Sequence, residues 1–242
     1  MPNSFKDSLK NLSDLNLIDF SKFSQRGIEK ESLRVSGSNI STSEHPKILG
    51  AALTNPFITT DFSEALLELI TSKASTIEKT LSDLKIILAY THQNIDDLIW
   101  PGSIPCTIEN ESDIRIASYG NNNSGKLKEL YRIGLSYRYG SMMQCVSGIH
   151  YNFSLNEEFF RKWQCSDSEI QPFQNKKYLN LIRNFRKNAW LLLYLFGASP
   201  VIPNTFLTNR NNFLKPLNNK DLYLENATCL RMSELGSVSY TH

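Results

Sequence analysis

Gly27-Ile-Glu-Lys-Glu-Ser-Leu-Arg-Val35 and Thr60-Asp-Phe-Ser-Glu-Ala-Leu-Leu-Glu-Leu-Ile70 set acidic residues into text that otherwise reads as core. If residues 28–35 form a strand, successive side chains alternate between faces, so Glu29 and Glu31 lie with Leu33 and Val35 while Lys30 and Arg34 take the other side. Two carboxylates then point toward the apolar face, roughly 6–7 Å apart, a spacing that serves two oxygen ligands facing one hard cation or two neighbouring ones. Unpaired, they would repel each other and resist desolvation. An edge strand whose acidic side is solvated or paired with nearby Arg or Lys accounts for the same alternation, and the pattern alone leaves both readings open.

Outward from there, residues 60–70 carry two periodicities. Phe62, Ala65, Leu66, Leu69 and Ile70 recur at helical spacing and Asp61-x-x-Glu64 reads as a capping box, so periodicity favours an amphipathic helix with solvated acids. The competing strand puts Glu64, Leu66, Glu68 and Ile70 on one face, with Glu68 turned inward as a ligand. Further along, Met142–Ser154 reads as a long strand in which Gln144, Val146, Gly148, His150, Asn152 and Ser154 share a small, polar face. That face fits the floor of a site, because Gly allows close approach and imidazole can ligate metal or meet phosphate; a solvated sheet face fits it equally. Gly120-Asn-Asn-Asn-Ser-Gly-Lys126 has the spacing of a phosphate-binding loop, but Leu127 stands where Ser or Thr would reach magnesium. A Gly/Asn turn capping the next helix is the expectation there.

Composition narrows the function classes. The chain has 242 residues, 40% of them hydrophobic and 21% charged, which is globular rather than disordered. A net charge of +2 without a Lys/Arg run gives no reason to expect a nucleic-acid or membrane partner. Cys106, Cys145, Cys165 and Cys229 are scattered without metal-ligand spacing, so reduced thiols in a soluble, cytoplasmic protein are expected, and no signal-peptide core or long apolar run argues otherwise. Helices are expected over 4–15, 76–99, Lys126–Tyr139 and Lys176–Phe196, the last with one buried face and an end at Gly197 and Pro200. Residues 209–219 read as a polar surface loop, and no linker divides the chain, so residues 1–242 are read as a single domain.

Several motifs occur in order: Gln25-Arg-Gly-Ile-Glu-Lys-Glu-Ser-Leu-Arg-Val35, His45-Pro followed by Leu49-Gly-x-Ala-Leu-Thr54, Ile58-Thr-Thr-Asp-Phe-Ser-Glu-Ala-Leu-Leu-Glu68, Tyr131-Arg-x-Gly-Leu-x-x-Arg-Tyr-Gly140, Ser147-Gly-Ile-His-Tyr-Asn-Phe-Ser154 and Leu195-Phe-Gly-Ala-Ser-Pro200. Together, from about residue 24 to Gly236, they closely resemble bacterial glutamate–cysteine ligase of the gammaproteobacterial type. The resemblance implies an α+β, glutamine-synthetase-like fold, a curved antiparallel sheet flanked by helices. It implies ATP-dependent joining of the glutamate γ-carboxylate to the cysteine amine through a γ-glutamyl phosphate, the first step of glutathione synthesis. It further implies that Glu29, Glu31, Asp61 and Glu68 bind magnesium, or manganese in its place, that His150 belongs to the same metal–phosphate centre, and that 60–70 takes the strand form. Glu29, Glu31 and His150 would be catalytic. Phe62, Tyr131, Leu135 and Gln144 match the cysteine pocket, and Arg231 matches an arginine that pairs with a substrate carboxylate.

Members of that family are roughly twice this length, so the resemblance implies a sheet incomplete at its carboxy-terminal side. Ser237 stands where the family pattern has a pocket tyrosine. A related ligase with another amine substrate, and a truncated, non-catalytic remnant that retains metal or nucleotide binding, are the alternatives. Self-association or a complementing chain is an expected partner if the chain is truncated.

Overall fold

The computed structural model describes residues 5–164, 169–206 and 214–230. In chain order the elements are α1 (Phe5–Asp14), β1 (Ser24–Ser36), β2 (Asn39–Ile40), β3 (Ile58–Thr60), β4 (Leu66–Ile70), α2 (Ile77–Asn94), β5 (Leu98–Ile99), α3 (Asn123–Tyr139), β6 (Ile149–Leu155), α4 (Glu157–Gln164), α5 (Ile170–Phe196), β7 (Val201–Pro203), β8 (Leu214–Pro216) and β9 (Asp221–Leu224). The strand β1 is the spine. It pairs antiparallel with β6 from Ser24 to Lys30 and with β4 from Glu29 to Leu33, so Glu29 is flanked by His150 on one side and Ile70 on the other. The strand β3 extends the sheet beyond β4, and β7, β9 and β8 form a second antiparallel sheet. The architecture is α+β, and among the described residues every pair of strands is antiparallel, as the resemblance implies.

Both faces of β4 are covered, which is why Leu66, Leu67 and Leu69 are all fully buried. Leu67 and Leu69 pack with Leu49 and Ile58 against Leu84, Ile87 and Leu88 of α2. On the opposite face Leu66 joins Leu33, Val35, Phe62, Ile108 and Val146 in the main core. A third cluster ties α1, α4 and the start of α5 together through Leu12, Phe23, Phe159 and Phe160. Two-sided burial also explains why 61–70 is not the helix its periodicity favours. Asp61 N–H closes a turn on the Leu66 carbonyl at 3.0 Å, and the Glu64 carboxylate caps no helix; it accepts from the backbone N–H of His45 at 2.8 Å and of Ser118 at 2.9 Å.

Four other expectations are corrected. Met142–Ser154 is not one strand: Met142–Cys145 is a 3-10 turn and pairing starts at Ile149. Met142, Cys145 and Val146 all bury in the main core, a spacing that a turn satisfies and an alternating strand cannot. The helix over 76–99 ends at Asn94, and Leu98–Ile99 is a short strand on β1. The helix α5 begins at Ile170 and is not buried along one face; it is held at its ends, by Phe173 and Tyr178 in the third cluster and by Thr228 Oγ1 donating to the Leu193 carbonyl at 2.5 Å. Between those anchors Leu181, Ile182, Phe185 and Leu192 are exposed, as is Phe196 beyond them. In the segment read as a surface loop, residues 209–213 lie outside those described, while Leu214–Pro216 is strand β8. The turn before α3 is as expected: Gly120 takes φ 87° and Asn122 accepts from Gly125 N–H at 2.7 Å, starting the helix at Asn123.

On the α2 side of β1 the guanidinium of Arg34 is only 1% exposed. It pairs with Asp97 at 2.5 Å and donates to the carbonyls of Ser43 at 2.7 Å and of Glu44 and Glu64 at 3.0 Å. Such a charge stays in the interior only with this many acceptors. Asp97→Ala is therefore expected to lower stability by about 3–5 kcal/mol, read as a lower urea midpoint at unchanged slope. A midpoint equal to wild type would show that the carbonyls alone satisfy the guanidinium.

Candidate functional site

Register decides which side chains meet. Directly opposed residues of antiparallel strands share a face, and the pairs Glu31–Glu68 and Glu29–His150 put three acids and one imidazole on the side of the sheet that also buries Leu33 and Leu66. Ligand atoms of Glu29, Glu68 and His150 all lie within 4.8 Å of one another. The His150 Nδ1 is 3.2 Å from Glu29 Oε2, and Asn152 Nδ2 donates to Glu29 Oε1 at 2.7 Å. Glu31, 4% exposed, accepts from Gly148 N–H at 2.6 Å through Oε2, while its Oε1 lies 3.9 Å from His150 Nε2.

The electrostatics are those of carboxylates short of positive charge. Burial, followed by the like charges of Asp61, Glu29 and Glu31, pushes the Glu68 carboxyl up to about 7. A divalent cation would relieve that repulsion, and carboxylate oxygens with one imidazole suit magnesium or manganese. The donor set fits the group the sequence reading implies.

Asp61 stands slightly apart. Its carboxylate is 3.5 Å from Arg132, which is itself buried, donates to the Asp61 carbonyl and stacks 4.6 Å over the Tyr119 ring. Asn152 stands on the polar face that the sequence offers as the floor of a site; Arg132 has no signal in the sequence beyond its place after Tyr131.

The four residues expected to make a cysteine pocket differ in exposure. Phe62 is 1% exposed in the main core, and Leu135 packs against the same cluster. Tyr131, on α3, is 63% exposed. Gln144 is half-buried in the 3-10 turn, and its Nε2 is buried without a partner among the described residues. Arg231 lies outside the described residues. Cys106 and Cys145 are buried free thiols, and burial raises both. Among the described residues no helix is long and apolar enough to cross a membrane.

The family profile described as glutamate-cysteine ligase matches residues 9–242. A glutamate–cysteine ligase of Hahella chejuensis is 48% identical over 217 residues, covering 87% of this chain and 41% of its own length. That of Janthinobacterium sp. is 44% identical over 241 residues, covering 98% and 46%. The crystal structure of glutamate–cysteine ligase from Francisella tularensis in complex with AMP superposes with a TM-score of 0.79 at 43% identity, over 89% of this chain and 43% of that one. The chain thus spans less than half the length of these relatives.

Glu68→Gln separates the two effects of this carboxylate. It should weaken manganese binding by about tenfold or more, while with chelator present it should stabilise the chain at pH 8. Glu68 titrates near 7 in the folded chain against an ordinary 4.5. Below the lower value it is protonated in both states and costs nothing; as pH rises the unfolded chain loses the proton first, so wild-type stability falls relative to the variant until pH passes 7. The gap should reach on the order of 1–2 kcal/mol once solvent screening is allowed for. Manganese affinity and a pH series of denaturant midpoints measure both, and equal affinity in the two proteins would remove Glu68 from the site.

Proposed function

Because the chain belongs to the glutamate–cysteine ligase family, we propose that it supplies the cation-holding face of a site that joins the γ-carboxylate of glutamate to the amine of cysteine, using ATP, as the first step of glutathione synthesis. One observation carries the reading: Glu29, Glu68 and His150 converge within 4.8 Å on one sheet face with Glu31 beside them. Glutamate and ATP are both anionic, and magnesium, or manganese, supplies the positive charge that lets them approach and that stabilises the transferring phosphoryl group. Glu29, Glu31, Glu68 and Asp61 would hold it, with His150 bridging Glu29 and Glu31.

The chemistry asks two things of these residues. In the first step a γ-carboxylate oxygen of glutamate attacks the γ-phosphorus of ATP, ADP leaves, and γ-glutamyl phosphate forms. In the second the cysteine amine attacks the acyl carbon, phosphate leaves with the C–O bonding pair, and the amine gives up a proton. Neither step requires a covalent bond to the protein, so the work of Glu29, Glu31 and His150 is positioning and charge compensation. Asn152 and Gly148 N–H serve it by fixing the orientations of Glu29 and Glu31. Phe62, Tyr131, Leu135 and Gln144 are proposed to shape the cysteine pocket, and Arg231 to pair with a substrate carboxylate. The exposure of Tyr131 and burial of Phe62 favour keeping a second reading, a ligase of the same type with a different amine.

ADP release separates the readings. Measured on the chain alone and on the chain supplied with the part of a relative that the match does not cover, it should require glutamate and cysteine together and fall when either is omitted. In the active form Tyr131→Ala should raise the cysteine KM by about tenfold or more and leave the ATP KM nearly unchanged. Release that proceeds equally with other small amines would favour the second reading.

A further inference from the structure

Asp61 sits at the edge of the carboxylate group without belonging to it. It follows β3, two residues on from Thr59, which opposes Glu68 across the strand pair. Of the like charges that raise the Glu68 carboxyl, that of Asp61 acts most strongly, ahead of Glu29 and Glu31. Yet the ligand atoms that lie within 4.8 Å of one another come from Glu29, Glu68 and His150. The Asp61 carboxylate instead lies 3.5 Å from the guanidinium of Arg132 on α3.

The main chain and the side chain of Asp61 are held to different degrees. Its N–H donates to the Leu66 carbonyl at 3.0 Å, and its own carbonyl accepts from Arg132 Nε and from the Tyr119 hydroxyl at 2.9 Å. Tyr119, 5% exposed, also reaches the Thr60 carbonyl at 2.7 Å. The turn is therefore pinned on both sides. The carboxylate is 44% exposed, and a pair at 3.5 Å is one that rotation of the side chain can break without moving the backbone.

Arg132 does not depend on that carboxylate. Its side chain, 10% exposed, keeps the Asp61 carbonyl, the Lys128 carbonyl at 3.0 Å and the face of the Tyr119 ring at 4.6 Å. Losing the carboxylate would leave the buried guanidinium with acceptors and an aromatic face.

We propose that Arg132 is a positioning residue that stands in for a cation at Asp61: it holds the carboxylate at the edge of the group and gives it up when a divalent cation binds there. The proposal rests on the reading of Glu29, Glu68 and His150 as a cation site. Guanidinium and divalent cation compete for one carboxylate, and Asp61 joins the site by turning its side chain on a fixed turn.

The test is a double-mutant cycle on the whole 242-residue chain, with Arg132→Gln, Asp61→Asn and the two combined, and with manganese affinity read by electron paramagnetic resonance. Asp61→Asn should weaken manganese binding by about tenfold, as the loss of one oxygen ligand does. Arg132→Gln should tighten it by about two- to fivefold, the worth of one partly exposed ion pair, and only where Asp61 is present. Equal tightening in the Asp61→Asn background means general repulsion by Arg132 and overturns the proposal. Unchanged or weaker binding in Arg132→Gln, the outcome for a purely structural arginine, overturns it too, as does unchanged binding in Asp61→Asn. If Arg132→Gln fails to fold by circular dichroism, the wild-type chain decides. Its Arg132 guanidinium nitrogen resonances should shift as magnesium is added, with the midpoint of binding, and resonances unchanged at saturation overturn the exchange. These failures leave the cation reading standing, whereas no manganese binding to wild type overturns that reading and the proposal with it.

Discussion

The pairing register of β1 is the constraint on which the rest depends. A slip of one residue against β4 or β6 would turn Glu29 and Glu31 to the α2 side and bring Lys30 and Ser32 to the face that now carries the acids. The register is held from both directions. Leu33 and Val35 enter the main core while Leu67 and Leu69 meet α2, and a one-residue slip would turn one set away from its partners. Fully burying each such leucine is worth about 1.5–3 kcal/mol, so the apolar half of the sheet stabilises the alignment that its charged half opposes.

The charged half has its own supports, and they are mostly backbone. Gly148 N–H on Glu31, His45 and Ser118 N–H on Glu64, and the carbonyls around Arg34 let ionised groups lie inside without a matching side chain for each. Glu68 is the exception. Its carboxyl, raised to about 7 by burial and three neighbouring acids, is where the sheet is destabilised in a way that a bound cation would relieve. That contrast sets Glu68 apart from Glu64, whose carboxylate accepts from two backbone N–H groups.

Apolar surface is distributed unevenly in the same molecule. Ile149, Tyr151 and Phe153 on β6 and the central apolar positions of α5 are exposed, while the opposite side of β6 carries His150 and Asn152.

Much of this was legible in the sequence. Alternation over 28–35 put Glu29 and Glu31 on one face, alternation over 142–154 put His150 with Asn152, and the helices α1 and α3 followed their apolar spacing to within a few residues. These are local properties, set by side-chain period and caps. The resemblance in ordered motifs supplied the family, and with it a strand form for 60–70 that holds over 66–70 and that periodicity would have missed. Tertiary structure alone decided what depends on partners distant in sequence. Leu66, Leu67 and Leu69 mimic a helix stripe because both faces of their strand are buried, and Met142 and Cys145 break a strand because a turn buries both. Asp61 is drawn to Arg132 of α3, and Glu68 is set against Glu31 by strand register; both pairs join residues dozens of positions apart, which no local pattern encodes.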